Sequence, residues 1–533
     1  MTPLHVLIVG AGPTGLSLAA ELARFGIRYR LIESSPEPAR FSEALAVQAR
    51  TLEQFERYGI ADEAVKRGLK ISRAVIYSEH TSLLDLSFDK IHSRYPYLLT
   101  LPQSETERLL IEHLKDSGGV VERGVTLASF EQSGDSVDAT LLHADGHFEQ
   151  IRADWLVGCD GAHSGVRHQA GIPFNGNSVE HEFFLGDVHL SGYNVPGDEI
   201  RLYMNKGNVV FIGRLSESVY RLIIALHRDE HTKTDASEAP EPPAGDLTLA
   251  DFQCAVAEHA DPSMILSDPE WITRFNVNQR KAAKYRSGRV FLAGDASDVH
   301  SPVAGQGMNT GIQDAANLGW KLAAVVRGAP PALLDTYDEE RGRVGDALLS
   351  ITSRGLAAAT SDNAAFETIR DLILKWVGGL SYVQEMACGF VSEIAIDYRH
   401  SSLSRDHGNW SHLEAGDRAP DAQYIDADNQ TVRLHERLAR PEHLLLMLHV
   451  SDKERTNMKG AWAEDQILAL HPYPDEKLAQ YYCSSGKPTL YAIRPDGYIG
   501  FRGGIGDIHA LVAYAHEVGA CRQEKPAPSL AMV

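Results

Sequence analysis

Cysteine is scarce in this chain, and long apolar runs are absent. Five cysteines are spread over 533 residues, and no two of them form a Cys-x-x-Cys pair: they are Cys159, Cys254, Cys388, Cys483 and Cys521. That spacing argues against a disulfide framework and against a dithiol redox centre. Because no uncharged apolar run reaches about 18 residues, we expect no membrane-spanning helix.

Positive charge is the scarcer sign. Lys and Arg number 51 against 72 Asp and Glu, so the formal net charge is −21 at pH 7. A surface this acidic repels phosphate backbones and anionic bilayers, so neither nucleic acid nor membrane is expected as a partner. No basic leader precedes the first apolar run, and we therefore expect a cytoplasmic protein. The length suits roughly two to four domains.

Clustered metal ligands are also lacking. The segment His227-Arg228-Asp229-Glu230-His231 has the H-x-x-E-H spacing of one class of metalloprotease. It follows a predicted strand and leads into an acidic, Pro-rich stretch, whereas a metalloprotease would need an apolar helix there. We interpret it as a solvated loop and expect no metal site.

A glycine-rich turn stands near the start, between a predicted strand and a predicted helix. The apolar run His5 to Val9 is followed by Gly10-Ala11-Gly12-Pro13-Thr14-Gly15 and then by apolar residues at helical spacing. Gly10 permits a tight turn, Gly12 lets a pyrophosphate approach the backbone, and Gly15 lets the helix pack on the strand. The helix N-terminus offers N–H groups and a positive dipole end to phosphates.

The next predicted strand, Ile27 to Ile32, ends on an acidic residue, Glu33. Glu33 lies 18 residues beyond Gly15, which suits a carboxylate that accepts hydrogen bonds from ribose hydroxyls. Strand, glycine turn, helix, strand and acidic residue together predict a dinucleotide-binding βαβ unit.

The predicted secondary structure changes several times along the rest of the chain. Alternating, β-rich segments between about Val179 and Leu226 predict an antiparallel sheet. Pro330-Pro331 interrupts the chain, and Leu333 to about Phe390 is predicted to be mostly helical. Asp417 to about Ala520 has its own strand signals and predicts a separate αβ domain. Other elements are predicted as helices at Ala46 to Tyr58, Gln103 to Lys115 and Gly311 to Val326, and as strands at Ile151 to Val157 and Val290 to Ala293.

Two later motifs indicate which nucleotide the chain binds. Asp160-Gly161-Ala162-His163-Ser164-Gly165-Val166-Arg167 directly follows a predicted strand. Gly288 to Ala296, which contains Gly294-Asp295, is followed by Pro302-Val303-Ala304-Gly305-Gln306-Gly307-Met308-Asn309 and by Asp314 to Leu318. Together with the Gly10–Gly15 turn, and in this order, the motifs resemble those of the class A flavoprotein monooxygenases. That family of aromatic hydroxylases includes phenol hydroxylase and polyketide hydroxylase types. Gly416 to Asp421 and Arg494 to Gly497 resemble the thioredoxin-like tail of the phenol hydroxylase subgroup.

The resemblance implies an α/β fold with a Rossmann-like FAD-binding domain, an antiparallel β-sheet substrate domain, a helical segment and a thioredoxin-like C-terminal domain. Because no Cys-x-x-Cys pair occurs, we expect that tail to be redox-inactive. The expected boundaries are 1–175 for the first part of the FAD-binding domain, with a substrate-domain excursion near 76–97, then 176–284 for the substrate domain, 285–345 for the return of the FAD-binding domain, 346–410 for the helical segment and 411–533 for the tail.

The resemblance also implies which residues hold FAD. A carboxylate at Asp295 suits a ribityl hydroxyl. The loop that follows would position the flavin ring through Pro302, Gly305 and Gly307. An early arginine contacts FAD in the family, and Arg40 and Arg50 are both candidates. The predicted FAD-binding residues are Gly10, Gly12, Pro13, Thr14, Gly15, Glu33, Arg40, Gln48, Arg50, Gln103, Asp160, Gly161, Gly294, Asp295, Pro302, Gly305, Gly307, Met308 and Asn309.

Other positions have no assigned role or two alternatives. The family usually has a histidine directly after Gly-Asp-Ala-Ala/Ser, whereas this chain has Asp298 there and His300 two residues later. The sequence assigns no role to His300, and no acid or base for catalysis stands out. Tyr203, Phe211 and Arg214, on predicted strands of the middle sheet, are candidates for substrate binding, and packing within the sheet is the alternative for each.

The implied activity is that of an FAD-dependent monooxygenase. It would use NADPH or NADH and O2 to hydroxylate a phenolic or polycyclic aromatic small molecule through a flavin C4a-hydroperoxide. The same fold also supports Baeyer–Villiger oxygenation, and a non-catalytic regulator that binds flavin or NAD is a further alternative. The sequence leaves open the substrate, the choice between NADH and NADPH, and whether the chain forms a homodimer.

Overall fold

The structure, a computed structural model, divides into two compact units. The first comprises Met1–Ala316 with Arg341–Ala395, and the second comprises Asn317–Glu340 with Ile396–Val533. The residues that it describes are 4–38, 44–78, 81–179, 181–192, 196–227, 247–275, 277–300, 305–361, 363–408, 413–426, 428–458, 462–470, 478, 481–482 and 487–520. Within these ranges, no helix is both long enough and apolar enough to cross a bilayer.

The first unit contains most of the regular structure. In chain order its strands are β1 (Leu4–Val9), β2 (Tyr29–Glu33), β3 (Ala46–Val47), β4 (Leu69–Ile71), β5 (Arg73–Ser78), β6 (Thr81–Ser87), β7 (Leu98–Thr100), β8 (Val121–Arg123), β9 (Val125–Ser133), β10 (Ser136–His143), β11 (Phe148–Gly158), β12 (Phe174–Ser178), β13 (His181–Ser191), β14 (Glu199–Asn205), β15 (Asn208–Arg214), β16 (Val219–His227), β17 (Ile265–Phe275), β18 (Asn278–Ala282), β19 (Arg286–Ser287), β20 (Val290–Leu292) and β21 (Asp298–Val299). Its helices are α1 (Pro13–Arg24), α2 (Ala49–Tyr58), α3 (Ala61–Arg67), α4 (Gln103–Asp116), α5 (Gly165–Gln169), α6 (Leu249–His259), the first half of α7 (Gly307–Val326), most of α8 (Asp335–Ala359), α9 (Ala364–Val377) and α10 (Ser381–Val391). The second half of α7 and the first residues of α8 belong to the second unit.

A mostly parallel sheet forms the core of this unit, in the order β19-β20-β11-β1-β2-β8, and the hairpin of β9 and β10 extends from β11. Strand β1 lies between β2 and β11, so that Val6 is level with Tyr29 on one side and with Trp155 on the other. Leu7 and Ile8 are fully buried, as in strands covered on both faces. The parallel order brings the carboxyl ends of β1, β2, β11 and β20 to one edge, where α/β sheets bind ligands.

A second sheet has seven strands in the order β17-β13-β16-β15-β14-β5-β6. It is antiparallel except where β14 pairs with β5. The strands predicted between 179 and 226 form its centre, and β5 and β6 join it from the neighbourhood of 76–97. One face packs on α6 through Tyr203, Val210 and Phe252, and the opposite face includes Val209 and Ala225.

One predicted helix is divided, and another begins earlier than predicted. Ala46 to Tyr58 is not one helix, because the short strand β3 and an extended Gln48 (φ −78°, ψ 161°) precede α2. The backbone N–H of Gln48 donates to the side chain of Asn309, 2.9 Å away, and this long-range bond has no local signal in the sequence. Helix α7 begins at Gly307, four residues before the predicted start.

The second unit has its own sheet and its own core. Its strands are β22 (Arg405–Asp406), β23 (Gln423–Ile425), β24 (Thr431–Arg433), β25 (Leu444–Leu448), β26 (Ile467–Leu470), β27 (Thr489–Ile493) and β28 (Ile499–Gly503), and its further helices are α11 (Leu434–Leu438), α12 (Asp452–Met458) and α13 (Ile508–Glu517). The sheet order is β22-β28-β27-β25-β26. A buried ionic network joins Arg494 to Glu340 and Asp496, and Lys321 to Glu340. Both units combine helices with sheets, so the predicted α/β class is confirmed.

Candidate functional site

The glycine turn between β1 and α1 is closely packed at two positions and open at a third. Gly10 has φ = +101°, and a Cβ there would meet the Cys159 carbonyl oxygen at 2.3 Å. A Cβ on Gly15 would lie 2.0 Å from the carbonyl oxygen of Gly10. At Gly12, no described atom lies within 4 Å of such a Cβ, and no described side chain caps the helix that starts at Pro13. This open, uncapped helix N-terminus suits a phosphate.

Glu33 lies beside this turn, at the end of β2. Its carboxylate accepts the backbone N–H groups of Ala11 and Ser35, each at 2.8 Å. A carboxylate has about four acceptor sites. Glu33 therefore braces the turn and still has capacity for ribose hydroxyls.

Thr14 connects the turn to the Gly294-Asp295 motif. Its hydroxyl oxygen occupies the space that Cβ atoms on Gly294 and Gly311 would need, at 2.4 and 2.3 Å respectively. Gly294 has φ = +62° and donates its N–H to the buried carboxylate of Asp314 at 2.9 Å. The side chain of Asp295 is exposed and is thus accessible to a ligand at the same edge of the sheet.

The Asp160-Gly161 motif follows β11 and lies next to Gly10. Asp160 accepts the Ser164 hydroxyl at 2.6 Å and the Val166 N–H at 3.0 Å, so it braces the start of α5. Gly161 has φ = +77°, and no atom of the described chain lies within 4 Å of a Cβ placed there. The motif builds the loop at this edge and leaves space beside it.

A set of four hydrogen bonds, here called the Asn309 clamp, holds the first turn of α7. The Oδ1 of Asn309 accepts the Gln48 N–H at 2.9 Å and the Thr51 hydroxyl at 2.7 Å. Its Nδ2 donates to the carbonyls of Ala46 at 2.8 Å and Gly305 at 2.9 Å. Because Asn309 is fully buried and uses both polar atoms, it fixes the loop before α7 against residues 46–51.

The neighbourhood of the clamp has an unused donor and open space. The side-chain Nε2 of Gln48 is buried without a partner in the described part of the chain, which costs roughly 1–3 kcal/mol unless a ligand accepts from it. Gly305 has φ = +61°, and a Cβ on Gly307 would have its nearest neighbours 3.9 Å away. Met308 is buried. Among the described residues, the N-terminus of α7 is therefore uncrowded.

Together these features fit FAD. The open helix N-terminus at Gly12 suits the pyrophosphate, and Glu33 suits a ribose. Asp295 is accessible to a ribityl hydroxyl. The uncrowded N-terminus of α7, with the Gln48 donor nearby, suits the polar edge of a flavin ring.

Asp298, at the position where the family usually has histidine, forms a buried pair with His300. One Asp298 oxygen lies 3.4 Å from Nδ1 of His300, and the other accepts the Tyr285 hydroxyl at 2.7 Å. Burial lowers the pKa of His300, but its interactions with Asp298 outweigh that effect, and the pKa is raised overall. Nε2 of His300 lies 3.9 Å from where a Gly307 Cβ would be, so this pair favours a protonated imidazole near the start of α7.

Two more buried carboxyl groups lie at α7: Asp314 is part of the helix, and Glu393 contacts it. Glu393 accepts from the side chains of Gln313 and Thr310, and burial raises its pKa to about 8. Asp314 pairs with Arg341 at 2.5 Å, and burial raises the pKa of Asp314 to about 6. Glu393 and Arg341 could not be predicted as site residues, because both lie outside the glycine motifs of the sequence and have no pattern of their own.

The remaining predicted FAD contacts are engaged with neighbouring side chains. Arg50 is buried and pairs with Glu53 at 3.0 Å, and Gln103 donates to Glu107 at 2.9 Å. The FAD-binding roles of all the predicted residues stay predictions. Some sequence predictions concern positions outside the described residues: Arg40, Pro302, residues 228–231 of the predicted loop, Cys483 and Cys521.

The three substrate candidates lie in different surroundings. Tyr203 is buried in the core between the seven-stranded sheet and α6. Arg214 donates to two carbonyls of the turn after β15, at 2.7 and 2.9 Å. A Cβ on Gly213 would meet both Phe211 and Leu45, at 3.0 and 3.1 Å. These surroundings favour packing for Tyr203 and turn formation for Arg214, and they leave Phe211 as the candidate beside residues 44–46.

Arg221, which sequence analysis did not single out, reaches the same segment. It forms a bidentate ion pair with Asp187, with hydrogen bonds of 2.8 and 2.7 Å, and the Trp271 indole N–H donates to Asp187 at 2.7 Å. Its other terminal nitrogen donates to the Ala44 carbonyl at 3.3 Å. This buried pair ties one face of the seven-stranded sheet to the segment that the Asn309 clamp also holds.

Comparison with known proteins yields a consistent set of relatives. A family model described as "FAD binding domain" matches residues 3–352. The chain is 34% identical over 521 residues to the 6-methylpretetramide 4-monooxygenase of Streptomyces rimosus, an alignment that covers 94% of this chain and 90% of that protein. It is 32% identical over 535 residues to the pentachlorophenol 4-monooxygenase of Sphingobium chlorophenolicum, covering 94% of each. The solved anhydrotetracycline hydroxylase of Streptomyces rimosus superposes with a TM-score of 0.80 at 29% identity, covering 98% of this chain and 100% of that one.

Proposed function

Since the chain belongs to the family of FAD-dependent aromatic monooxygenases, we propose that it uses FAD, NADPH or NADH, and O2 to hydroxylate a phenolic or polycyclic aromatic small molecule. The observation that carries this proposal is the convergence of the Gly10–Gly15 turn, Gly294-Asp295 and the Asn309 clamp at one edge of the parallel sheet. A protein that only carried a nucleotide would need the turn, but not a second helix N-terminus held open beside it. Relatives that act as monooxygenases on 6-methylpretetramide and pentachlorophenol support a ring compound as substrate.

The residues that would hold FAD divide by the part of the cofactor they suit. The turn at Gly12 would bind the pyrophosphate, Glu33 a ribose, and Asp295 the ribityl chain. The loop fixed by the Asn309 clamp would lie along the ring, with the Gln48 side chain as a donor. When bound, FAD supplies the redox centre that accepts a hydride from NADPH or NADH and activates O2.

Two groups would stabilise negative charge at the polar edge of the reduced ring. The N-terminus of α7 presents the positive end of the helix dipole. His300, held by Asp298, would add a positive charge close to it. Both are fixed before any ligand binds, so their electrostatic effect needs little reorganisation.

The substrate would lie against the face of the seven-stranded sheet that carries Phe211. That side chain is half-buried and offers an aromatic surface for ring contact. The Arg221–Asp187 pair would keep this face at a fixed distance from the ring-binding loop, because it anchors the sheet to Ala44. Hydroxylation of a phenol asks mainly for position and exclusion of water, since the phenol activates its own ring.

For the second unit we propose a thioredoxin-like domain without dithiol chemistry. Parallel β25 and β26 are followed by the antiparallel pair β27 and β28 and then by α13, with the sheet order β28-β27-β25-β26, and this topology supports the proposal. The chain has no Cys-x-x-Cys pair that could run a redox cycle. We also propose the domain boundaries that were predicted from the sequence, with this domain at residues 411–533.

The purified full-length protein tests the proposed function. We expect it to be yellow, with one non-covalent FAD per chain, and a panel of phenols and polycyclic aromatics should include compounds that stimulate NADPH or NADH oxidation. Asp295→Ala should lose FAD and keep its far-UV circular dichroism, whereas the exposed Glu131→Gln should keep both. A colourless protein that cannot be reconstituted with FAD contradicts the proposal. Bound FAD without stimulated turnover by any compound would instead favour a regulator.

A further inference from the structure

An apolar surface on α9 and α10 is exposed in the described chain. Six large side chains form it, and we call them the hairpin patch: Phe366, Ile369, Ile373 and Trp376 on α9, with Tyr382 and Met386 on α10. Trp376 is 81% exposed and Tyr382 is 74% exposed. Isolated apolar side chains are normal on protein surfaces, but four large exposed side chains along one helix, with two more on the next helix, indicate an interaction site.

The outward side of α9 is largely apolar, unlike that of an ordinary surface helix. The four patch residues of α9 recur at helical spacing and form one stripe. Arg370, on another side of the helix, is 8% exposed and donates to the Ala358 carbonyl at 2.9 Å. The helix therefore turns a charged residue inward and an apolar stripe outward, which is unfavourable in water unless another surface covers the stripe.

The inward side of the two helices is fastened to the edge of the seven-stranded sheet. Leu374 packs on the apolar cluster at that sheet. Gln384 donates to the Asp85 carbonyl at 2.7 Å, and the Cys388 thiol donates to the Ser87 carbonyl at 3.2 Å. These contacts hold the helices in place with the patch outward.

We propose that the hairpin patch is the interface through which two copies of this chain form a two-fold symmetric dimer. With about 200 Å² for a fully exposed large side chain, the six residues expose roughly 700 Å². A standard protein interface buries about 800 Å² on each partner, and Leu372 and Leu380, both exposed beside the patch, supply further apolar area. Two antiparallel copies of α9 can meet stripe to stripe, because a two-fold axis brings the same surface of each copy together.

The charges near the patch favour a second copy over a bilayer. Acidic Glu367, Asp371 and Glu385 lie on these helices against Lys375 and the inward Arg370. A helix that lies on a membrane surface carries many Lys and Arg residues on its polar face, which α9 and α10 do not.

Sedimentation of the full-length, FAD-loaded protein tests the dimer. The wild type should sediment as twice its 58.5 kDa chain mass, whereas Ile369→Glu and Trp376→Glu should each sediment as monomers. Phe148→Glu is the matched control, because Phe148 is a large exposed apolar residue outside the patch, and it should remain dimeric. Far-UV circular dichroism and the FAD absorbance of each variant show that the fold is intact.

Three results would overturn the proposal. The first is a monomeric wild type across the concentration range, and the second is a dimer that survives both patch substitutions with the fold intact. The third is binding of vesicles of neutral or anionic lipid through Trp376, which would assign the patch to a bilayer instead of a second copy. Hydrogen exchange gives an independent readout, since amides of 366–386 should be protected in concentrated wild type and lose that protection on dilution. The dimer does not depend on the flavin chemistry, so its failure would leave the proposed function untouched.

Discussion

The side chain of Asn309 accepts the backbone N–H of Gln48 at 2.9 Å, although 261 residues separate them in sequence. The same amide group also binds Thr51, Ala46 and Gly305. One buried side chain thus fixes the loop at the start of α7 relative to the segment before α2. This relationship sets the geometry in which the flavin ring is proposed to lie.

Asn309→Ala should destabilise the first unit and weaken FAD binding. The substitution leaves an N–H, a hydroxyl and two carbonyls without their partner, so we expect a loss of roughly 2–4 kcal/mol in urea unfolding of the apoprotein. Thr51→Val removes one of the four bonds and should lose only about 1 kcal/mol. If both variants lose the same amount, the four bonds do not act as a unit.

Gly12→Ala and Gly15→Ala should separate ligand binding from folding. A Cβ at position 12 has open space, so Gly12→Ala should keep the thermal midpoint of the apoprotein but lower FAD affinity at least about tenfold, by crowding the pyrophosphate. A Cβ at position 15 would lie 2.0 Å from the Gly10 carbonyl oxygen, so Gly15→Ala should lose stability itself. Flavin fluorescence titration and thermal unfolding measure the two effects. Unchanged FAD affinity in Gly12→Ala would place the pyrophosphate elsewhere.

Glu393 should make stability fall as the pH rises. Burial raises its pKa in the folded chain to about 8 from an ordinary 4.5, so between these values the folded chain holds a proton that the unfolded chain has lost. That contribution is present below pH 4.5 and is lost as the pH rises towards 8, at up to about 1.4 kcal/mol per unit. Glu393→Gln resembles the protonated carboxyl, so relative to wild type it should gain roughly 1–3 kcal/mol between about pH 5 and pH 8. The exposed Glu131→Gln should follow the wild-type profile, and a Glu393→Gln profile parallel to wild type would refute the raised pKa.

His300→Gln should make the bound FAD harder to reduce. Removal of a positive charge near the start of α7 should shift the two-electron midpoint potential by roughly 30 mV in the negative direction, equivalent to about 1.4 kcal/mol. Asp298→Asn should shift it the same way, because His300 then loses the carboxylate that raises its pKa. Equilibration with a reference dye measures the potential without any substrate. An unchanged potential in both variants would remove His300 from the electrostatics of the ring.

The strands, the glycine turn and the family could be predicted from the sequence because their signals are local. Gly10, Gly12 and Gly15 stand within six residues, and the alternation in β13 to β16 is visible along each strand. The position of Glu33 beside the turn could be predicted from its spacing to Gly15, since one helix and one strand separate the two residues.

The contacts that shape the site could not be predicted, because they join residues distant in the chain. Arg221 looks like any strand residue until its pairing with Asp187 and the Ala44 carbonyl is seen. Glu393 lies in the turn after α10, where the sequence has no motif, and only burial against Gln313 gives it an unusual pKa. Tyr203 shows the same limit, since the alternation that predicted its strand did not tell which face meets α6.

Turnover under isotopically labelled O2 tests the proposed monooxygenation most directly. With an aromatic substrate that stimulates NADPH or NADH oxidation, we expect one labelled oxygen atom in the product, at a ring carbon ortho or para to an existing hydroxyl, and the other labelled atom in water. A product labelled from water, or a lactone formed from a ketone, would contradict aromatic hydroxylation, and the lactone would establish Baeyer–Villiger oxygenation in its place.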